Sequence, residues 1–187
     1  MIFTETPLKG AYLIDLERRG DERGYLTRLF CRDDFGAAGL KDCTAQISEV
    51  VNPRAHTLRG LHFQRAPHAQ DKLLQVLAGT IFDVAVDIRA NSPTRGQWVG
   101  LTLGAHQPRQ LFVPAGFAHG YLTLSEECAV LYKTTAYYAP EAEAGLRWDD
   151  PALAIDWPAP RAAISVNDRD RTWPPFAEVM ETLSSTV

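Results

Sequence analysis

The spacing of turn signals constrains this 187-residue chain more than any other feature. Between Thr57 and Tyr138, short runs rich in Val, Ile, Leu, Phe, Tyr and Thr are broken by Gly, Pro or acidic residues. The breaks come roughly every 8 to 12 positions, the rhythm of a β-sandwich or barrel. Lys72 to Leu77 and Ile81 to Ile88 flank Ala78-Gly79-Thr80, which predicts a hairpin. In its second arm Val84, Val86 and Ile88 share one face, and Asp83, Ala85 and Asp87 the other. Trp98 to Leu103 and Leu111 to Val113 predict further strands. Phe117 to Leu124 and Ala129 to Tyr137 flank Ser125-Glu126-Glu127 as a second predicted hairpin. Helical signal is confined to Arg32 to Leu40 and Pro175 to Leu183. The expectation is one all-β domain over residues 1–187, with short peripheral helices and a cavity lined by inward strand side chains.

The charge balance narrows the function classes. A net charge of −4 argues against a nucleic-acid surface. A local cluster of Arg18, Arg19, Arg23, Arg28 and Arg32 still suits a phosphorylated small molecule. Three cysteines, Cys31, Cys43 and Cys128, with no CxxC spacing, predict neither a disulfide framework nor a zinc knuckle. The opening MIFTETPLKG lacks a long apolar stretch, and no run of 18 apolar residues occurs. A reduced cytoplasmic protein without a membrane segment is therefore expected.

Five segments carry groups capable of chemistry. Leu58-Arg59-Gly60-Leu61-His62-Phe63-Gln64 puts a histidine three residues after an arginine. In an ideal strand the two face opposite sides, but a bulge at Gly60 would turn both inward. They then read as a base and an anion or carbonyl binder, or else as a core histidine and a surface arginine. Pro114 to Tyr121 carries His119 on the same face as Phe117 and Tyr121. A catalytic metal needs about three ligands, often an H-x-H pair and a carboxylate. His62, His68 and His119 do not supply that spacing, so no metal and no cofactor are expected. Tyr132 is either a good β-former or a general acid in a cavity. Lys72 is either an edge charge or an oxyanion stabiliser. The polar turn Ser165 to Pro174 offers Asp168 and Asp170, either of which could orient a histidine by bonding one ring nitrogen.

Taken in order, these blocks resemble the dTDP-4-dehydrorhamnose 3,5-epimerase family. The similarity runs through DERGYLTRLF from Asp21, TLRGLHFQ from Thr57 and DKLLQVLAGTIFDVAVDIR from Asp71. It continues through SPTRGQWVG from Ser92, LFVPAGFAHGYLTL from Leu111, VLYKTTAYYAPEAEAGLRWDDP from Val130 and DRTWP from Asp170. The resemblance implies a double-sheet, cupin-like jelly roll and a homodimer in which N-terminal strands, about residues 1–30, join the partner's sheet. It implies epimerisation at C3 and C5 of a dTDP-4-keto-6-deoxyhexose, in rhamnose biosynthesis, by proton transfer through an enolate. In that likeness His62 is the proton acceptor, Tyr132 the donor on the opposite face, Lys72 the enolate stabiliser and Asp170 the partner of His62. Arg59 and His119 resemble sugar and diphosphate contacts. Arg23, Gln46, Tyr138 and Glu143 resemble nucleotide contacts, Tyr138 by stacking on the base, and Asp83 resembles an acidic member of the pocket. A nucleotide-diphosphate sugar is thus the implied partner, with neither nucleic acid nor membrane.

Two positions depart from the pattern, and a third is ambiguous. Arg28 stands where the family commonly has Glu, and Ser48 where it usually has Asn. Asp168 and Asp170 both fit the position of the histidine's partner, and the downstream Trp173-Pro174 favours Asp170. Other readings are a single-site epimerase on another nucleotide sugar, a keto-shifting isomerase, and a non-catalytic or metal-dependent sugar-binding relative.

Overall fold

A computed structural model describes residues 1–40 and 44–184, so Cys43 lies outside the described residues. Thirteen strands and three α-helices are described in chain order. β1 (Ile2–Glu5), β2 (Tyr12–Asp15), β3 (Arg18–Asp21) and β4 (Gly24–Thr27) precede helix α1 (Arg32–Ala37). Then come β5 (Gln46–Asn52), β6 (Leu58–Gln64), β7 (Lys72–Ala78), β8 (Thr80–Asp87), β9 (Trp98–Gly104), β10 (Arg109–Val113), β11 (Phe117–Thr123) and β12 (Cys128–Thr134). β13 (Glu143–Gly145), α2 (Asp168–Arg171) and α3 (Phe176–Ser184) complete the set.

Two antiparallel sheets form the body. One runs β1-β2-β10-β7-β12-β5 and the other β13-β6-β11-β8-β9. Between them lies a core that includes Leu74, Val76, Leu111, Val113 and Val130 from the first and Ile81, Ala85, Phe117 and Tyr121 from the second. This is the double-sheet jelly roll of the all-β expectation. The outer face of the smaller sheet is covered by the C-terminal region. Val84, Val86 and Ile88 pack there on Leu146, Leu153, Val179 and Met180, which confirms the alternation read from β8. α3 offers Phe176, Val179, Met180 and Leu183 at helical spacing to that cluster. α1 is too short to be stable alone. It is held by Phe35, whose ring meets Phe3 edge-on at 5.1 Å over the larger sheet.

Both predicted hairpins are corrected. β7 and β8 belong to different sheets, and so do β11 and β12. A tight Gly-containing turn signals a reversal but not whether the next strand pairs or crosses to the facing layer. Here the chain crosses. Gly79, at φ +73°, packs so closely on Cys128 and Ser125 that a Cβ would lie 2.6 Å from each side chain. The two corners thus pin each other. β12 also ends at Thr134, three residues before its predicted limit at Tyr137.

The hairpin β3–β4 stands apart from both sheets. Its Tyr25 and Leu26 are exposed, and Arg18 ties it down by donating to the carbonyls of Ala105 and His106. No helix among the described residues is long and apolar enough to cross a membrane.

Candidate active site

The bulge expected at Gly60 shapes the site. Between β11 and β6, His119 pairs with His62 and Tyr121 pairs with Arg59. Two steps along β11 therefore match three along β6, which leaves one extra residue on β6. Gly60 takes it up at φ +139°, against Gly120, where a Cβ would sit 2.6 Å from the Gly120 Cα. As a result Arg59 and His62 line the same cavity, of about 310 Å³. Lys72, Tyr132, His119 and Gln46 line it too, with Ser48 at the position of one departure. Tyr138 and Arg169 stand at its rim.

The two walls come from the two sheets. On the smaller sheet, His62 Nε2 lies 2.7 Å from Asp170 Oδ1. Asp170 is 1% exposed and also accepts from the Gly60 N–H at 3.1 Å. Burial pushes its carboxyl up, but bonds from His62, Gly60 and Trp173 outweigh this and hold it below the usual range. An ionised carboxylate only accepts, so Nε2 carries the hydrogen and Nδ1 is the free nitrogen of neutral His62. The resemblance's choice of Asp170 agrees with this placement; Asp168 is exposed. The segment read as a polar turn is in fact the short helix α2, capped by the Asn167 side chain accepting from Asp170 N at 2.7 Å.

A second pair lies beside the first. His119 Nε2 is 2.7 Å from Asp83 Oδ1, and both side chains are buried. Asp83 therefore sits behind His119, and its Oδ2 has no hydrogen-bond partner. Among the described residues, no three His, Cys, Asp or Glu side chains converge as a metal-ligand set.

The opposite wall is held by desolvation. Burial raises the Tyr132 hydroxyl well above its ordinary pKa of 10, and nearby Tyr121 and Asp83 add to it. The phenol thus keeps its proton and remains a donor. Its ring meets His119 edge-on at 5.9 Å. Burial lowers Lys72 to about 8, against the pull of Asp83 and Glu143. Its Nζ lies 3.3 Å from the His62 carbonyl oxygen, which brings an amine to the strand that carries His62.

At the rim, the Tyr138 hydroxyl donates to Glu143 Oε2 at 2.8 Å, and the Tyr138 N–H donates to Gln46 Oε1 at 2.6 Å. Arg23 is not brought to the cavity by its own chain. It lies at the exposed tip of β3–β4, paired with Asp21. Arg28 is likewise distant, 3.9 Å from Asp34 beside α1.

Four contributors escaped the sequence reading. Arg59 Nε donates to Asn52 Oδ1 at 2.7 Å, and Asn52 Nδ2 donates to the Tyr121 hydroxyl at 3.0 Å. Tyr121, already on the face of His119, was the visible hint. Arg169 bridges Glu143 and Asp170, and Trp173 Nε1 reaches Asp170 Oδ1 at 3.3 Å. Arg169 carried no signal beyond adjacency to Asp170, whereas Trp173 was visible as the Trp-Pro that favours Asp170.

The comparisons with known proteins agree with this picture. The sequence profile described as dTDP-4-dehydrorhamnose 3,5-epimerase matches residues 5–178. A protein of that name from Methanothermobacter thermautotrophicus is 46% identical over 177 residues, 94% of this chain and 95% of the relative. The crystal structure of dTDP-4-dehydrorhamnose 3,5-epimerase from Elizabethkingia anophelis superposes with a TM-score of 0.92 at 38% identity, covering 95% of this chain and 97% of that one. A dTDP-6-deoxy-D-glucose-3,5-epimerase from Legionella pneumophila, solved with dTDP-4-keto-L-rhamnose, gives a TM-score of 0.91 at 38% identity over 97% of this chain and 96% of its own. A profile match over almost the whole length, with relatives above 40% identity, settles membership: this chain is an isomerase of the dTDP-4-dehydrorhamnose 3,5-epimerase family.

Proposed function

We propose that this protein inverts C3 and C5 of dTDP-4-keto-6-deoxyglucose, giving dTDP-4-dehydrorhamnose on the way to rhamnose. The observation that carries the reading is a histidine and a tyrosine on opposite walls of one cavity, His62 with Asp170 and Tyr132 on the facing sheet. A proton alpha to a ketone is weakly acidic, so its removal needs a positioned base and a charge for the enolate. His62 Nδ1 takes the proton, and Asp170 balances the imidazolium. Lys72 meets the oxygen that gains charge. Tyr132 delivers its hydroxyl proton to the other face of the same carbon, which inverts it; His62 then releases its proton and Tyr132 regains one by exchange with solvent, and the cycle repeats at the second carbon. Arg59 and His119 hold the sugar and diphosphate, with Asp83 orienting His119. Gln46, Tyr138 and Glu143 hold the nucleotide, Tyr138 by stacking.

The working form is a cytoplasmic homodimer of single-domain protomers. β5 ends its sheet with an unpaired edge and with Ile47 and Val51 exposed, the surface an incoming strand would cover. The exposed β3–β4 hairpin is the complementary element, and its addition to the partner's sheet would carry Arg23 to the partner's cavity.

The test is incubation with dTDP-4-keto-6-deoxyglucose in heavy water, followed by proton NMR at H3 and H5. Loss of both signals, with a downstream reductase then yielding dTDP-rhamnose, is expected. Loss of one signal would make the protein a single-site epimerase, and loss of neither would overturn the assignment.

A further inference from the structure

The Asp170 carboxylate does not belong to His62 alone. Its Oδ1 takes His62 Nε2 at 2.7 Å and Trp173 Nε1 at 3.3 Å, and Arg169 Nε lies 3.5 Å from the same atom. Arg169 also sends Nη1 to Glu143 Oε2 at 2.8 Å, and that oxygen accepts the Tyr138 hydroxyl at 2.8 Å as well. Two carboxylate oxygens, each shared, thus join an exposed rim tyrosine to a buried catalytic pair. Among the described residues Arg169, with its side chain 49% exposed, is the only link that both lines the cavity and touches both carboxylates.

We propose that Arg169 is a positioning residue that couples filling of the cavity's nucleotide end to the basicity of His62. The proposal rests on the reading of the cavity as a nucleoside-diphosphate site with Tyr138 at its base end. An oxygen shared among several donors divides its charge, so a guanidinium beside Asp170 Oδ1 weakens that oxygen's hold on an imidazolium. A diphosphate in the cavity is a competing anion for the same planar fork. When it draws Arg169 outward, Asp170 Oδ1 is left to His62 and Trp173, and protonated His62 is better stabilised. The base is then strongest when substrate is in place and weaker in the empty protein.

Other charged and titratable groups face His62 as well. Arg59 shares its strand, and His119 is its cross-strand neighbour on β11. Lys72 reaches its carbonyl from β7, Tyr132 faces it from β12, and Glu143 lies on the adjoining β13. The ligand's own phosphate charges also act on His62 directly, whatever residue stands at 169. The coupling is therefore the part of the ligand's effect that disappears when Arg169 is replaced.

The probe is dTDP alone, which carries no sugar and permits no turnover. The pH midpoint of the His62 ring-proton NMR signal, assigned with H62N, is measured without and with saturating dTDP. In the wild type dTDP is expected to raise the midpoint by about half a pH unit, roughly a threefold change in proton binding. In Arg169→Met the rise should be less than half as large. Arg169→Lys serves if the Met variant binds dTDP too weakly to saturate, because one ammonium cannot span both carboxylates. Glu143→Gln frees Arg169 to lean on Asp170 and should lower the midpoint of the ligand-free protein. Equal displacements in wild type and the Arg169 variants would overturn the coupling while leaving the nucleotide site intact. Failure of dTDP to saturate the wild type would instead remove the nucleotide reading, and the coupling with it.

Discussion

The two walls of the cavity secure their titratable side chains by opposite means. On the smaller sheet, His62 and His119 each lean on a buried aspartate at 2.7 Å. On the larger sheet, no carboxylate among the described residues bonds to Tyr132 or Lys72, and burial favours the neutral form of each, the protonated phenol and the deprotonated amine. A base must become charged in the reaction, so it needs a counter-charge within reach. A phenol acting as an acid must arrive protonated, and a dry environment ensures that without a counter-charge. The difference teaches that the two walls of the cavity, built by different sheets, hold their titratable groups by different physics.

The largest effect should come from breaking the hydrogen-bonded wall. His62→Asn is expected to reduce alpha-proton exchange and inversion together by about 10³ to 10⁴, the full worth of a general base. Parallel heavy-water and coupled-reductase assays would check this, and retained exchange would move the base elsewhere. Tyr132→Phe strikes the desolvated wall and should separate the two readouts. Exchange should persist within about tenfold, while inversion falls by about 10². If both fall equally, the two walls do not divide the chemistry as argued.

Lys72→Met should cost about 10² in rate by removing the charge opposite the enolate, yet raise stability. Lys72 titrates near 8 in the fold against 10.5 when exposed. Between those values the unfolded chain binds the extra proton, so wild-type stability rises with pH across this window. Below pH 8 the full cost of the buried charge is present, with an upper bound of about 3 kcal/mol. The variant should therefore be more stable by about 1 to 2 kcal/mol at pH 7, and its advantage should shrink as pH approaches 10.5. Urea denaturation at pH 7 and pH 10 would check both statements. A variant less stable at pH 7 would show that Lys72 is held by attraction and not merely tolerated.

The strands from β6 to β12 and the bulge at Gly60 were legible in the sequence because alternation, turn residues and a mid-strand glycine each give a local signal, whereas β1 to β5 and β13 were not read from the pattern. The partners of the strands were not legible. Gly79 reads as a hairpin turn, but the chain there switches sheets, a choice made by packing on Cys128 and Ser125. The site shows the same divide. His62 and Arg59 sit in one segment, and their convergence needs only the bulge. Asp170 lies 108 residues from His62. Its choice over Asp168 depends on α2, where residues two apart point to different sides of the helix. Arg169, between them, carried no pattern of its own.

The smallest effect should come from a third region, the hairpin and its flank. Arg28 is largely exposed, and its 3.9 Å approach to Asp34 is a surface pair worth at most about 0.5 kcal/mol. Arg28→Glu should accordingly leave thermal stability almost unchanged. If the hairpin reaches the partner's cavity, reversing this charge alters the contact with the nucleotide. The resemblance, in which Glu is usual here, makes the expected direction a few-fold tighter use of the thymidine nucleotide. The change should appear in KM for dTDP-4-keto-6-deoxyglucose, with kcat held, because neither wall carrying the proton path is touched. A change in kcat would mean that the hairpin shapes those walls. No change in either constant would leave Arg28 a solvated surface residue and remove this flank from nucleotide recognition.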